Sequence, residues 1–133
     1  MAAGRCQCGA ISYEVTGAPV HSAACWCDDC RASAGATPVV WTLFPDEALT
    51  ITGTPVTYES SPGATRHFCG TCGTGLFFRN QAIFPNQTDI QAGTFDDRDT
   101  FPPQAHIQIA DAPAWMKTHG DLPRFERFPG PSQ

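Results

Sequence analysis

The chain has 133 residues, enough for one domain, residues 1–133, with a modest core. Eight Lys and Arg against 13 Asp and Glu give a formal net charge of −5, and no basic cluster stands out, which argues against a nucleic-acid partner. No apolar run approaches the roughly 20 residues that a membrane-spanning helix needs, and 12 Gly with 12 Pro favour many short strands over long helices.

In chain order, the first residues hold no apolar stretch of the length a secretory signal requires, so a cytoplasmic location is expected. Cys6 and Cys8 lead into Gly9, which can supply the turn a metal knuckle needs. Residues 10–15 read as a half-buried strand, with Ile11, Tyr13 and Val15 on one face and Ser12 and Glu14 on the other. Gly17 and Pro19 break it, and a short strand over 20–24 delivers the chain to Cys25, Cys27 and Cys30. Asp28 is the expected N-cap of a turn or two of helix that Gly35 ends. Residues 39–44 read as a strand, and 49–52 with 56–59 as a hairpin about Gly53 and Pro55. After a loop at 60–63, a strand over 65–68 runs into Cys69, Cys72 and Gly73, and an apolar strand over 76–78 leaves them. Further strands are expected near Ile90 and over 106–109, with a solvated loop at 96–99 between. The tail, with Trp115, Leu122, Phe125 and Phe128 among prolines, is expected to pack on the body as an extended arm.

Seven cysteines are an odd number, and all lie in Cys-x-Cys or Cys-x-x-Cys groupings. A disulfide wants Cα atoms about 4.4–6.8 Å apart with converging Cβ vectors, which a Cys-x-Cys pair does not comfortably offer. Reduced metal ligands are the better reading. They divide as four plus three. Cys6 and Cys8 with Cys69 and Cys72 can close a tetrahedral structural zinc site, whose binding energy is also folding energy, about 10–16 kcal/mol in zinc-finger peptides. Cys25, Cys27 and Cys30 would hold a second zinc and leave a fourth position unclaimed, as catalytic zinc sites do. Two alternatives stand beside this. One of His21, His67, His106 and His119 could close the second site, or the trio could be a redox or metal-buffering centre.

The ordered set of motifs resembles the glutathione-dependent formaldehyde-activating enzyme family, which also includes centromere-protein-V-like proteins. The resemblance is carried by Gly4-Arg5-Cys6-Gln7-Cys8-Gly9, by Cys25 to Arg31 with Ser33-Ala34-Gly35, and by Arg66-His67-Phe68-Cys69-Gly70-Thr71-Cys72-Gly73. Later pieces are Ala92-Gly93-Thr94-Phe95-Asp96, Pro102-Pro103-Gln104-Ala105-His106-Ile107 and Asp121-Leu122-Pro123-Arg124-Phe125. It implies an all-β, tent-like fold of small antiparallel sheets stitched by zinc knuckles. It also implies two zinc ions per chain, a structural one on Cys6, Cys8, Cys69 and Cys72 and a catalytic one on Cys25, Cys27 and Cys30. The family's middle motif commonly reads Cys-His-Cys, and Trp26 stands where that histidine would be, placed to line the pocket and alter the substrate.

The function expected from the resemblance is a zinc-dependent carbon–sulfur lyase acting on a thiol–aldehyde adduct such as S-hydroxymethylglutathione, with a small thiol such as glutathione as partner. Arg31 and Arg66 are candidates to hold carboxylates of that thiol, the plainer role for each being surface solubility. His106 is either an acid–base group or a cap on a sheet. The expectation of another class is a non-catalytic, zinc-stabilised binding module.

Overall fold

The computed structural model describes residues 1–130. Among the described residues there are ten strands: β1 (Ala2–Arg5), β2 (Ser12–Val15), β3 (His21–Cys25), β4 (Val39–Pro45), β5 (Leu49–Thr52), β6 (Val56–Ser61), β7 (Ala64–Phe68), β8 (Gly75–Asn80), β9 (Gln87–Gln91) and β10 (His106–Ile107). One α-helix, α1 (Asp28–Ala34), follows β3. The fold is therefore built mostly of β-strands, as composition and resemblance both imply. Among the described residues, no helix is long and apolar enough to cross a membrane.

The strands form two sheets. The smaller runs in the order β1-β2-β5, antiparallel throughout. The larger runs β10-β3-β4-β9-β8-β7-β6, with every pair antiparallel except the short parallel pairing of β10 beside β3. The period of two in β2 sends Tyr13 and Val15 inward and leaves Glu14 exposed, and Ile11 just before it is also buried. These side chains meet Phe44, Leu76, Phe77, Ile90 and Phe95 in the main core. Tyr13 sits at its centre, edge-on to Phe77 and Phe95 with ring centroids 5.4 Å away in each case, and its hydroxyl is paired with Thr94 Oγ1 at 2.7 Å. Gly4 lies directly beneath that ring, where a Cβ would collide with the phenol and with the Thr94 carbonyl. Each large apolar side chain buried here contributes about 1.5–3 kcal/mol.

Three features differ from what local sequence suggests. The expected hairpin between β5 and β6 does not form: β5 pairs with β2 in the small sheet and β6 with β7 in the large one, so Gly53 and Pro55 carry the chain across from sheet to sheet. Gly53 has φ 94° and packs its open face on the Ala10 carbonyl, an approach that a side chain would block. A strand at the very start, β1, was not expected, and its partner register with β2 explains it. The arm beyond β10 is only partly packed. It makes short 3-10 turns at Ala114–Lys117 and His119–Asp121, and Trp115 and His119 lie against Trp26, while Leu122, Phe125 and Phe128 stay 64%, 56% and 86% exposed.

Candidate metal centre

The four-thiol group comes together from two knuckles of similar build. In the first, Gly9 N donates to the Cys6 carbonyl and Ile11 N to Cys6 Sγ at 3.3 Å, with Gly9 at φ 82°. In the second, Gly73 N donates to the Cys69 carbonyl, Thr71 N and Cys72 N donate to Cys69 Sγ, and Gly73 has φ 81°. Gln7 N reaches across to Thr74 Oγ1 at 3.1 Å and clips the knuckles together. All four sulfurs lie within 4.8 Å of one another. Cys6–Cys8 and Cys8–Cys69 are each 3.7 Å apart. A metal–sulfur bond of about 2.3 Å in a tetrahedron sets sulfurs about 3.8 Å apart, so the donor set fits a metal ion as it stands. Cys6 and Cys69 are buried, and the Thr74 hydroxyl 3.2 Å from Cys72 Sγ helps push that thiol down to about 5.

Cys25, Cys27 and Cys30 also converge, with their sulfurs within 4.8 Å of one another. Cys25 ends β3 and faces inward. Cys27 caps α1: its sulfur accepts from Cys30 N at 3.2 Å, so the cap falls one residue before Asp28 and is made by a thiol. Gly35, at φ 66°, closes the helix as expected. Among the described residues, no histidine or carboxylate offers a ligand atom within 4.8 Å of all three sulfurs. His67 instead sits between the hydroxyls of Thr57 and Thr65. All seven cysteines are free thiols.

Two residues near the trio take roles that their sequence neighbourhood hides. Arg66, three positions before Cys69, belongs to the other centre. It is 9% exposed, places Nη1 and Nη2 at 3.9 and 3.8 Å from Cys30 Sγ, donates from Nε to Ser60 Oγ, and lies 4.9 Å over the Phe78 ring. Surface solubility is thus excluded for Arg66. It fits Arg31, half exposed and paired with Asp28 at 2.9 Å. The Cys30 thiol is pushed down to about 5 by hydrogen bonding to Cys25, opposed by burial and aided by Cys27 and Arg66. The Cys25 thiol moves up in turn, through that same contact and burial. The second residue is Asp89 on β9, whose carboxyl burial, with the Cys30 charge, pushes up to about 7.

Trp26 does not line the pocket. Successive side chains alternate across the extended segment, so Cys25 and Cys27 face one side and the indole the other. There it is 1% exposed, donates from Nε1 to His106 Nδ1 at 3.0 Å, and packs against Trp115 and His119. His106 therefore anchors the indole from β10 instead of facing the thiols.

The trio lies in the wall of a hollow of about 450 Å³ that Trp41, Phe78, Phe84 and Ile107 also line. A larger one, of about 640 Å³, shares Arg66 and Trp41 with it but contains no thiol. The sequence pattern of the glutathione-dependent formaldehyde-activating enzymes matches residues 1–111. A crystal structure of a Rhodobacter sphaeroides protein, solved as a structural-genomics target, shares the fold with TM-score 0.61 and 21% identity, covering 78% of this chain and 98% of that one. No curated protein matches the sequence.

Proposed function

The chain belongs to the glutathione-dependent formaldehyde-activating enzyme family, and from that premise we propose that it is a zinc-dependent carbon–sulfur lyase acting on a thiol–aldehyde adduct. The observation that carries this reading is the gathering of Cys25, Cys27 and Cys30 in an open hollow with no fourth protein ligand among the described residues. The two cysteine groups are read as one structural zinc site, on Cys6, Cys8, Cys69 and Cys72, and one reactive zinc site on the trio. When bound by three thiolates, zinc keeps a substrate thiol deprotonated and polarises a nearby oxygen.

The chain's own residues supply the setting. Arg66 offsets the charge of Cys30 and holds its sulfur toward the hollow. Cys27, fixed by the Cys30 amide, sets the spacing of the trio. Trp41 and Phe78 give the hollow apolar walls. In the forward sense the carbon–sulfur bond of an S-hydroxymethyl thiol breaks and its electron pair returns to sulfur. The hydroxyl proton passes to water and the carbon–oxygen double bond of formaldehyde forms. The reverse sense traps the aldehyde on the thiol. No redox partner is consumed in either direction.

The test is exchange spectroscopy of ¹³C-formaldehyde with glutathione or 2-mercaptoethanol. Zinc-loaded protein should speed exchange between free aldehyde and adduct, and Cys27→Ser should not. No acceleration with either thiol overturns the lyase reading and leaves the metal-stabilised binding module.

A further inference from the structure

The hollow beside the trio is acidic, and one of its carboxylates is unpartnered. Asp89 is 6% exposed, and its Oδ1 is buried with no hydrogen-bond partner. The cause is its place in the large sheet: it stands between Leu43 on β4 and Phe78 on β8, neither of which offers a donor side chain. Asp89 lines the hollow, as do Asp29 and Asp111, the last already accepting from Asp28 N at 3.2 Å. The basic groups of the same wall are Arg66 and His21. Arg66 is committed through Nη1 and Nη2 to Cys30 and through Nε to Ser60. Arg31, the other arginine near the trio, turns outward to Asp28. Three thiolates around a doubly charged ion would add a further net negative charge.

A ligand carboxylate entering this hollow would meet three carboxylates and no uncommitted guanidinium. A ligand ammonium would meet three carboxylates, against one guanidinium already engaged with Cys30 and Ser60. We propose that the hollow takes a small thiol bearing an ammonium group, free or as its aldehyde adduct, in preference to a thiol that brings carboxylates. This inference rests on the reading of the trio as a thiol-accepting metal site and narrows its substrate class. Glutathione, with two carboxylates, falls on the disfavoured side.

The experiment uses the full chain loaded with cobalt, whose thiolate absorption reports a sulfur entering the trio's coordination. Three thiols of similar size are titrated at one pH and compared per unit thiolate: 2-aminoethanethiol, 2-mercaptoethanol and mercaptoacetate. We expect 2-aminoethanethiol to bind at least tenfold more tightly than mercaptoacetate, with 2-mercaptoethanol between them and glutathione near mercaptoacetate. Asp89→Asn should shrink that spread several-fold, and the series on the unmodified chain stands as a test whether or not the variant folds. Equal affinities, or tightest binding by mercaptoacetate, would overturn the inference and leave the thiol site intact. A spectrum unmoved by all three thiols would overturn both. A spread that Asp89→Asn leaves unchanged would overturn the assignment to Asp89.

Discussion

Replacing Arg66 by methionine should loosen the metal at the trio while leaving the four-thiol group untouched. The guanidinium makes two long contacts to Cys30 Sγ, at 3.9 and 3.8 Å, in a residue 9% exposed. Hydrogen bonds to a charged group contribute about 1.5–3 kcal/mol. At about 1.4 kcal/mol per decade, the loss corresponds to roughly 10–100-fold weaker metal binding, the same range that outer-sphere partners of metal ligands generally show. Methionine keeps similar length and can still lie on Phe78, so the fold should lose only the Ser60 hydrogen bond and the cation–ring contact, about 1–3 kcal/mol together. Competition against a chromophoric chelator measures the affinity, with the four-thiol ion as internal reference. Protons compete with metal for thiolates, so affinity falls as pH falls in both proteins. In the variant the fall should begin at higher pH, because the cation that helps hold the Cys30 thiol down is gone. Arg66→Lys should recover part of the loss as a point charge. Affinity within twofold of the parent protein would refute the reasoning and reduce Arg66 to packing.

Elemental analysis of protein purified without chelator should find close to two zinc ions per chain; Cys69→Ser should then melt far earlier, while Cys27→Ser stays folded with one ion fewer, and equal unfolding of both would make the trio structural. Asp89→Asn should raise the melting temperature by a few degrees at pH 8, by less at pH 5, and by little or nothing below pH 4. The Asp89 carboxyl, pushed up by burial to about 7 from the ordinary 3.8, binds its proton more tightly in the folded chain than in the unfolded one. Stability from this group is therefore lost as pH rises from about 4 through 7. Thermal melts across that range check the sign, and a larger gain at pH 5 would contradict it.

The division of seven thiols into four and three was legible from spacing alone, because a knuckle is a local device: two sulfurs, a short turn and a glycine at positive φ bring their own geometry wherever the chain puts them. The period of two in β2 and the helix stop at Gly35 were legible for the same reason. Other features depended on which strands lie side by side. Gly53 and Pro55 carry the marks of a hairpin turn, yet the ladders of β5 and β6 find partners in different sheets. Arg66 reads as a neighbour of Cys69, but the pleat of β7 turns it inward beside Ala64, and the large sheet carries it to Cys30. Trp26 reads as a pocket residue between two ligands, while β10 and the arm give its far side a partner in His106 and a cover in Trp115. Asp89 gave no signal at all, being one polar residue in a short strand. Only the packing of β9 between β4 and β8 strips it of water and partners beside the thiols. Ligand spacing is set by a few consecutive dihedral angles, which the residues themselves restrict. The charge and burial around those ligands come from contacts dozens of residues apart, and these exist only once the sheets have closed.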